Sequence, residues 1–228
     1  MLFRSELSAV SSRVLEMGGL VESQVARAIS AMTGFDGELA DQVLRDEQRV
    51  NRFEVDIDRE LSGIIALRQP TARDLRLLIS ISRIIANLER AGDEAARTAR
   101  VVKRLLDVGI AARLRLPVND LQFEAEMAVD LLRKALDSFA RLDALGALEV
   151  IKQDRQIDSE FEGLLRKLIT YMMEDPRTIT SCIDLVFVAK AVERIGDHAK
   201  NLAEAVIYVV KGTDVRHSPV AAVEDVVG

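Results

Sequence analysis

Four prolines in 228 residues leave this chain long unbroken stretches, and within them apolar residues return every three or four positions. Pro70, Pro117, Pro176 and Pro219 all fall where that recurrence pauses. Proline lacks a backbone donor and clashes with the preceding turn, so it cannot continue a helix interior. Runs such as Leu78, Ile81, Ile85, Leu88 and Val129, Leu132, Leu136, Phe139 read as single faces of long helices. No strand-like alternation bounded by hairpin signals occurs. The pattern predicts an all-α chain of six helices over about 4–33, 37–68, 71–107, 119–142, 145–173 and 177–211. The stretches "TGFDG", "RQPT", "LRLPVND", "RLDALG" and "EDPRT" mark the turns. Helices of about 30 residues are about 45 Å long. Joined by short turns, such rods pack as antiparallel neighbours. Residues 213–228, "TDVRHSPVAAVEDVVG", show no helical stripe of useful length and are expected to form a disordered tail.

The helices fall into two sets of three. Pro70 and Pro176 close the second helix of each set, and "LERAGDEA" at 88–95 is answered by "VERIGDHA" at 192–199. "DEQRVNRFE" at 46–54 resembles "KQDRQIDSEFE" at 152–162. Features that repeat in the same order at nearly the same offset are an internal duplication. The prediction is two tandem, similar three-helix bundles, residues 1–115 and 116–212, with Pro117 near the seam.

The duplicated motif carries carboxylates. Residues four apart share one helix face, about 6 Å from each other. Glu89 lies beside Asp93 and Glu193 beside Asp197; on the preceding helices Glu47 pairs with Asn51, and Asp154 with Asp158. Like charges at this spacing repel mildly, and a hard cation that takes several oxygen ligands would offset the repulsion. Arg90, Arg97 and Arg194 could neutralise the same acids without a metal. On a helical wheel Glu89 stands roughly 80° and Asp93 roughly 120° from the apolar centre, at the edge of the stripe. Gly92 and Gly196, inside the motif, each cost a helix about 1 kcal/mol relative to alanine, and close packing is the expected reason.

Other chemistry is sparse. His198 and His217 are the only histidines, and neither forms the Glu-x-x-His pair of di-iron bundles. No phosphate-cradling glycine loop, Walker motif or nucleophile elbow occurs. An enzyme is not expected. A formal charge of −6 argues against a nucleic-acid partner. One cysteine, Cys182, excludes a disulfide within the chain and reads as a small core residue. With 49% hydrophobic residues but only 4% aromatic, the core must be aliphatic. No apolar run approaches the ~18 residues that span a bilayer, so the expectation is a cytoplasmic protein that meets membranes only through partners.

These residues resemble the PhoU family of phosphate-transport accessory proteins. "PTARDLRLLISISRIIANLERAGDEAARTA" at 70–99 is similar to one family signature helix, and "ERIGDHAKNLAEAVIYVVKG" at 193–212 to the other. "RSELSAVSSRVLEMGGLVE" at 4–22 resembles the family's opening helix. The resemblance implies two three-helix bundles without catalysis that turn down the phosphate-starvation response. It implies the sensor histidine kinase and the ATPase subunit of the phosphate ABC transporter as partners. It also implies divalent or iron-type metal ions at Glu89, Asp93, Glu193 and Asp197, with Glu47, Asp154 and Asp158 contributing. Asn51 departs from the pattern, leaving the first site one carboxylate fewer than the second. A homodimer is expected, because long amphipathic helices leave a secondary stripe for association. The competing reading is a scaffolding bundle whose acid pairs only solvate it.

Overall fold

The turn that ends the first helix of each half is built the same way. Phe35 and Leu142 both adopt left-handed backbone, with φ of 49° at each. That conformation is unusual for a residue with a side chain. The aspartate that follows holds it in place. Asp36 N–H donates to the Ala31 carbonyl and Asp143 N–H to the Ser138 carbonyl, both at 2.9 Å. Each aspartate then caps the next helix, accepting from Glu38 and Leu39 N–H in one half and from Leu145 and Gly146 N–H in the other. Such caps satisfy backbone donors that would otherwise be orphaned at a helix start.

The computed structural model describes residues 2–107 and 118–228. Among them run α1 (Leu2–Gly34), α2 (Gly37–Arg68), α3 (Ala72–Asp107), α4 (Val118–Arg141), α5 (Ala144–Glu174), α6 (Ile179–Lys211) and α7 (Val220–Val227), and no strand. A single 3-10 turn, Pro176–Thr178, leads into α6. The expected boundary between residues 115 and 116, and Pro117, lie outside the described residues. The six long helices match the expected ones closely, because caps and prolines mark their ends.

α1, α2 and α3 pack as one bundle, and α4, α5 and α6 as another. The bundles lie side by side, α3 along α6 and α1 along α4. This placement explains two burial patterns. α2 buries one stripe, Val43, Val50, Ile57, Leu61 and Ile64 among it. α3 and α6 bury a wider arc, with runs such as Ala95, Ala96, Thr98, Ala99 and Ala203, Ala205, Val206, Ile207. The core is continuous across both bundles and almost wholly aliphatic.

The expected disordered tail is corrected. Residues 213–228 turn back, and α7 packs on α5 and α6 with Val215, Val223 and Val227 buried. Lys211 Nζ donates to the Val227 carbonyl at 2.7 Å, and Lys152 on α5 pairs with Glu224. Eight residues are too few to show a hydrophobic period, and the surface that orders them comes from distant sequence.

Candidate functional site

The predicted acids collect in two groups, one per bundle, each in the groove between the second and third helix. In the first bundle Glu47 comes from α2 and Glu89 and Asp93 from α3, all three half-buried. Burial pushes the Glu89 carboxyl upward, and the charges of Asp93, Glu54 and Glu47 add to it. Asp93 is raised by burial and by Glu47. Glu54, which the motif did not name, joins this group and is raised by burial and by Asp58. Arg100 answers part of the charge, donating to Glu47 Oε1 at 2.6 Å. Asn51 is exposed and adds no charge.

The second group lies deeper. Asp154 on α5 is 1% exposed. Its Oδ2 accepts from Lys200 Nζ at 2.8 Å, while its Oδ1 is buried without a partner. Burial raises this carboxyl against the lowering effect of Lys200. Asp158, exposed on the same helix, adds its charge to Asp154 and to Asp197. Asp197 is raised first by burial and then by Glu193. Glu193 pairs with Lys190, whose ammonium also sits 5.3 Å from the Phe161 ring centre.

The donor set is oxygen alone, which suits a hard cation. The unpartnered Asp154 Oδ1 and the mutual crowding of the acids mark a shortage of positive charge in the second group. As the side chains stand, no three Asp, Glu, His or Cys groups converge on one point among the described residues. Lys190, Lys200 and Arg100 supply the positive charge that answers Glu193, Asp154 and Glu47. The residues thus fit a hard cation in chemistry and charge, and binding would require them to close in.

Comparison with known proteins settles the lineage. The family described as PhoU domain matches residues 14–102 and 123–206. A phosphate-specific transport system accessory protein PhoU homolog from Burkholderia is 47% identical over 215 residues, covering 94% of this chain and 91% of the relative. The chain belongs to the PhoU family. The Escherichia coli K12 accessory protein PhoU is 43% identical, with coverage of 94% and 88%. The crystal structure of PhoU from Pseudomonas aeruginosa superimposes with a TM-score of 0.87 at 44% identity, covering 92% of this chain and all of that one. A phosphate transport system regulatory protein PhoU from Streptococcus pneumoniae reaches 0.86 at 26% identity, over 93% and 99%.

The two PhoU matches fall on α1–α3 and on α4–α6, so the duplication read from the sequence is the family's own repeat. The glycine of each motif serves packing. A Cβ on Gly92 would stand 2.9 Å from Gln24 Oε1, and one on Gly196 would stand 2.9 Å from Ile157 Cδ1. Gln24, fully buried, spends its amide on the carbonyls of Val43 and Gly92, tying α1 to α2 and α3. The motif arginines divide in role. Arg194 reaches across the bundles to buried Glu94, which Arg97 also holds. His198 faces α3, its Nδ1 3.1 Å from Asn87 Oδ1, and burial lowers its pKa to about 4. It is a neutral interface residue.

The sequence reading missed Glu54 and Glu124. Glu54 lies one turn beyond Asn51 and no repeat partner flags it: laying Glu47 on Asp154 lays it on Phe161. Glu124 sits in the apolar stripe of α4 between Leu121 and Ala128, both buried.

Proposed function

We propose that this chain is a non-enzymatic regulator of phosphate uptake and of the phosphate-starvation response. It acts by restraining the phosphate sensor kinase and the ATPase subunit of the phosphate ABC transporter when phosphate is plentiful. The observation that carries this reading is the length of the similarity. Relatives bearing the accessory-protein name align over 94% of the chain, through both bundles. Among the described residues no helix is long and apolar enough to cross a membrane. In this reading the chain meets the membrane-bound transporter through its ATPase subunit, from the cytoplasmic side. Deletion of the gene should derepress phosphate-regulated transcription in phosphate-rich medium. Unchanged repression there would overturn the regulatory reading.

The acid groups serve this function as sites for divalent or iron-type cations. Glu47, Glu89 and Asp93 are the donors in the first bundle, and Asp154, Asp158, Glu193 and Asp197 in the second. Asp154 and Glu193 exchange their lysine partners for the ion. The support is the all-oxygen donor set and the unpartnered oxygen of Asp154. Elemental analysis of the purified chain should show bound metal that falls when Glu193 and Asp197 are both changed to alanine. Equal metal in the two samples would remove the assignment. The working form is a homodimer, and light scattering at micromolar concentration should return twice the mass of one chain.

A further inference from the structure

Arginine returns at every seventh position of α3, at Arg76, Arg83, Arg90, Arg97 and Arg104. Seven residues advance a helix by about 10.5 Å and turn each side chain by only about 20° from the last. The arginines therefore form a ladder about 42 Å long on one flank of α3, in a chain whose formal charge is −6. That flank lies beside α6. The Arg83 guanidinium stands 5.3 Å from the Tyr208 ring centre, Arg104 pairs with Asp184, and Arg194 of α6 reaches Glu94 of α3. These contacts run α3 and α6 in opposite directions and put the ladder along the seam between the bundles. None of the described helices covers it, since the side chains of Arg97, Arg104 and Arg194 are each about half exposed.

The acids beneath do not use up this charge. Glu94, which holds both Arg97 and Arg194, is buried, and so is Asp184. Arg90 is exposed and has no ion pair or hydrogen bond among the described residues. A guanidinium carries five donors in a fixed fork, and one carboxylate takes two of them. The outward donors are open to a second acid. Apolar side chains stand at both ends of the ladder. Laying Glu89 on Glu193 lays Ile79 on Ile183, Arg83 on Phe187 and Arg90 on Arg194. Ile79 precedes Arg83 by one turn, and Ile183 and Phe187 flank Asp184, the partner of Arg104. All three are exposed, Phe187 by 55%. The core does not need a phenylalanine where the other repeat keeps an arginine.

We infer that the seam face of α3 and α6 docks an acidic amphipathic helix of a partner protein. Charge complementarity and spacing select this occupant. A helix laid along the seam presents carboxylates every second turn, at the same step of about 10.5 Å. Its apolar side chains meet Ile79 at one end and Ile183 and Phe187 at the other, the helix-in-groove mode of recognition. A nucleic-acid strand, with a phosphate about every 3.4 Å, matches neither the step nor the apolar ends. The inference holds whichever protein carries the segment, and it does not depend on the carboxylate groups as cation sites.

Calorimetric titration of the full chain tests it. The probe is a synthetic helix of about 30 residues, long enough to span the ladder, with glutamate at every seventh position and leucine beside it. A second probe carries lysine in place of glutamate, and a third is oligothymidylate of similar length. The variants are Arg90→Glu and Phe187→Ser, with Arg52→Glu, exposed on α2, as the control. Circular dichroism checks that each folds. The wild type should bind the glutamate helix and not the lysine helix. Arg90→Glu and Phe187→Ser should each weaken binding roughly fivefold, and Arg52→Glu should leave it unchanged. A glutamate helix with one central glutamate changed to lysine should restore binding to Arg90→Glu, which a merely structural defect would not allow. Failure of the wild type to bind the glutamate helix, or equal binding by every variant, would overturn the inference. Binding of oligothymidylate in its place would make the face a nucleic-acid strip instead. Loss of half the light-scattering mass in Arg90→Glu or Phe187→Ser would make a second copy the occupant, and the partner helix would fall.

Discussion

Asp154 is nearly inaccessible to solvent, and one lysine is all that answers its charge. Breaking a buried pair by removing one partner leaves an uncompensated charge, at a cost of about 3–5 kcal/mol. Lys200 is only half-buried, so part of that cost is escaped. Lys200→Met should lower the unfolding free energy by roughly 2–3 kcal/mol in urea titrations with chelator present. Added Mn²⁺ should recover part of the loss if the aspartate is free to bind it. Glu124 gives a second residue-scale prediction. Burial holds its carboxyl at about 8 against an ordinary 4.5, so between those values the folded chain binds the extra proton. Stability that depends on this group is complete below the ordinary value and falls as pH rises toward 8. Relative to Glu124→Met, the metal-free wild type should lose on the order of 3 kcal/mol between pH 5 and pH 8. Parallel curves for the two proteins would show that Glu124 is not buried as described. At this scale the positions of the motif acids were legible because the duplication repeats them, with Asp158 alone answering an amide, Asn51. Glu124 was not, because one acid in an apolar stripe reads as a local interruption until the two halves are laid in register.

Helices decide what each glycine is for. Gly163 on α5 is exposed, and a Cβ there would meet nothing within 4 Å. Gly163→Ala should stabilise the protein by about 0.5–1 kcal/mol, the usual gain at an unconstrained helical position. Gly92 is the opposite case. Alanine there gains the same propensity but must displace the amide of Gln24, which holds two buried carbonyls. The expected net change for Gly92→Ala is a loss of about 1–2 kcal/mol. Urea midpoints of the two variants should move in opposite directions, and a shared direction would contradict the packing role of Gly92. The sequence led correctly to close packing inside the motif, since a helix interior seldom keeps glycine without a neighbour at hand. It did not reveal that the neighbour is a glutamine amide from α1. Nor did it reveal α7, whose order comes from α5 and α6 rather than from its own eight residues.

The whole molecule is held by what the helical period conceals. One apolar stripe per helix predicts a bundle, and it predicted two. It does not say that α3 and α6 have a second buried face, because that arc is filled by alanine and other small residues, such as Ala95, Ala96 and Ala99. Those residues bring the bundles into one aliphatic core. Polar links span the same seam, from Arg194 to Glu94 and from Asn201 and His198 to Asn87. A chain of two repeats could unfold in two steps, each bundle losing its own core. A core that crosses the seam couples them, since melting either bundle strips α3 or α6 of its neighbour. The chain contains no tryptophan, so reporters can be placed one per half. Phe53 on α2 and Phe161 on α5 are partly buried against the core and suit Phe53→Trp and Phe161→Trp. Fluorescence from the two variants should trace urea transitions with the same midpoint and the same slope as circular dichroism, the signature of a single cooperative unit. Separate midpoints would make each bundle an independent folding unit and reduce the seam to a docking contact.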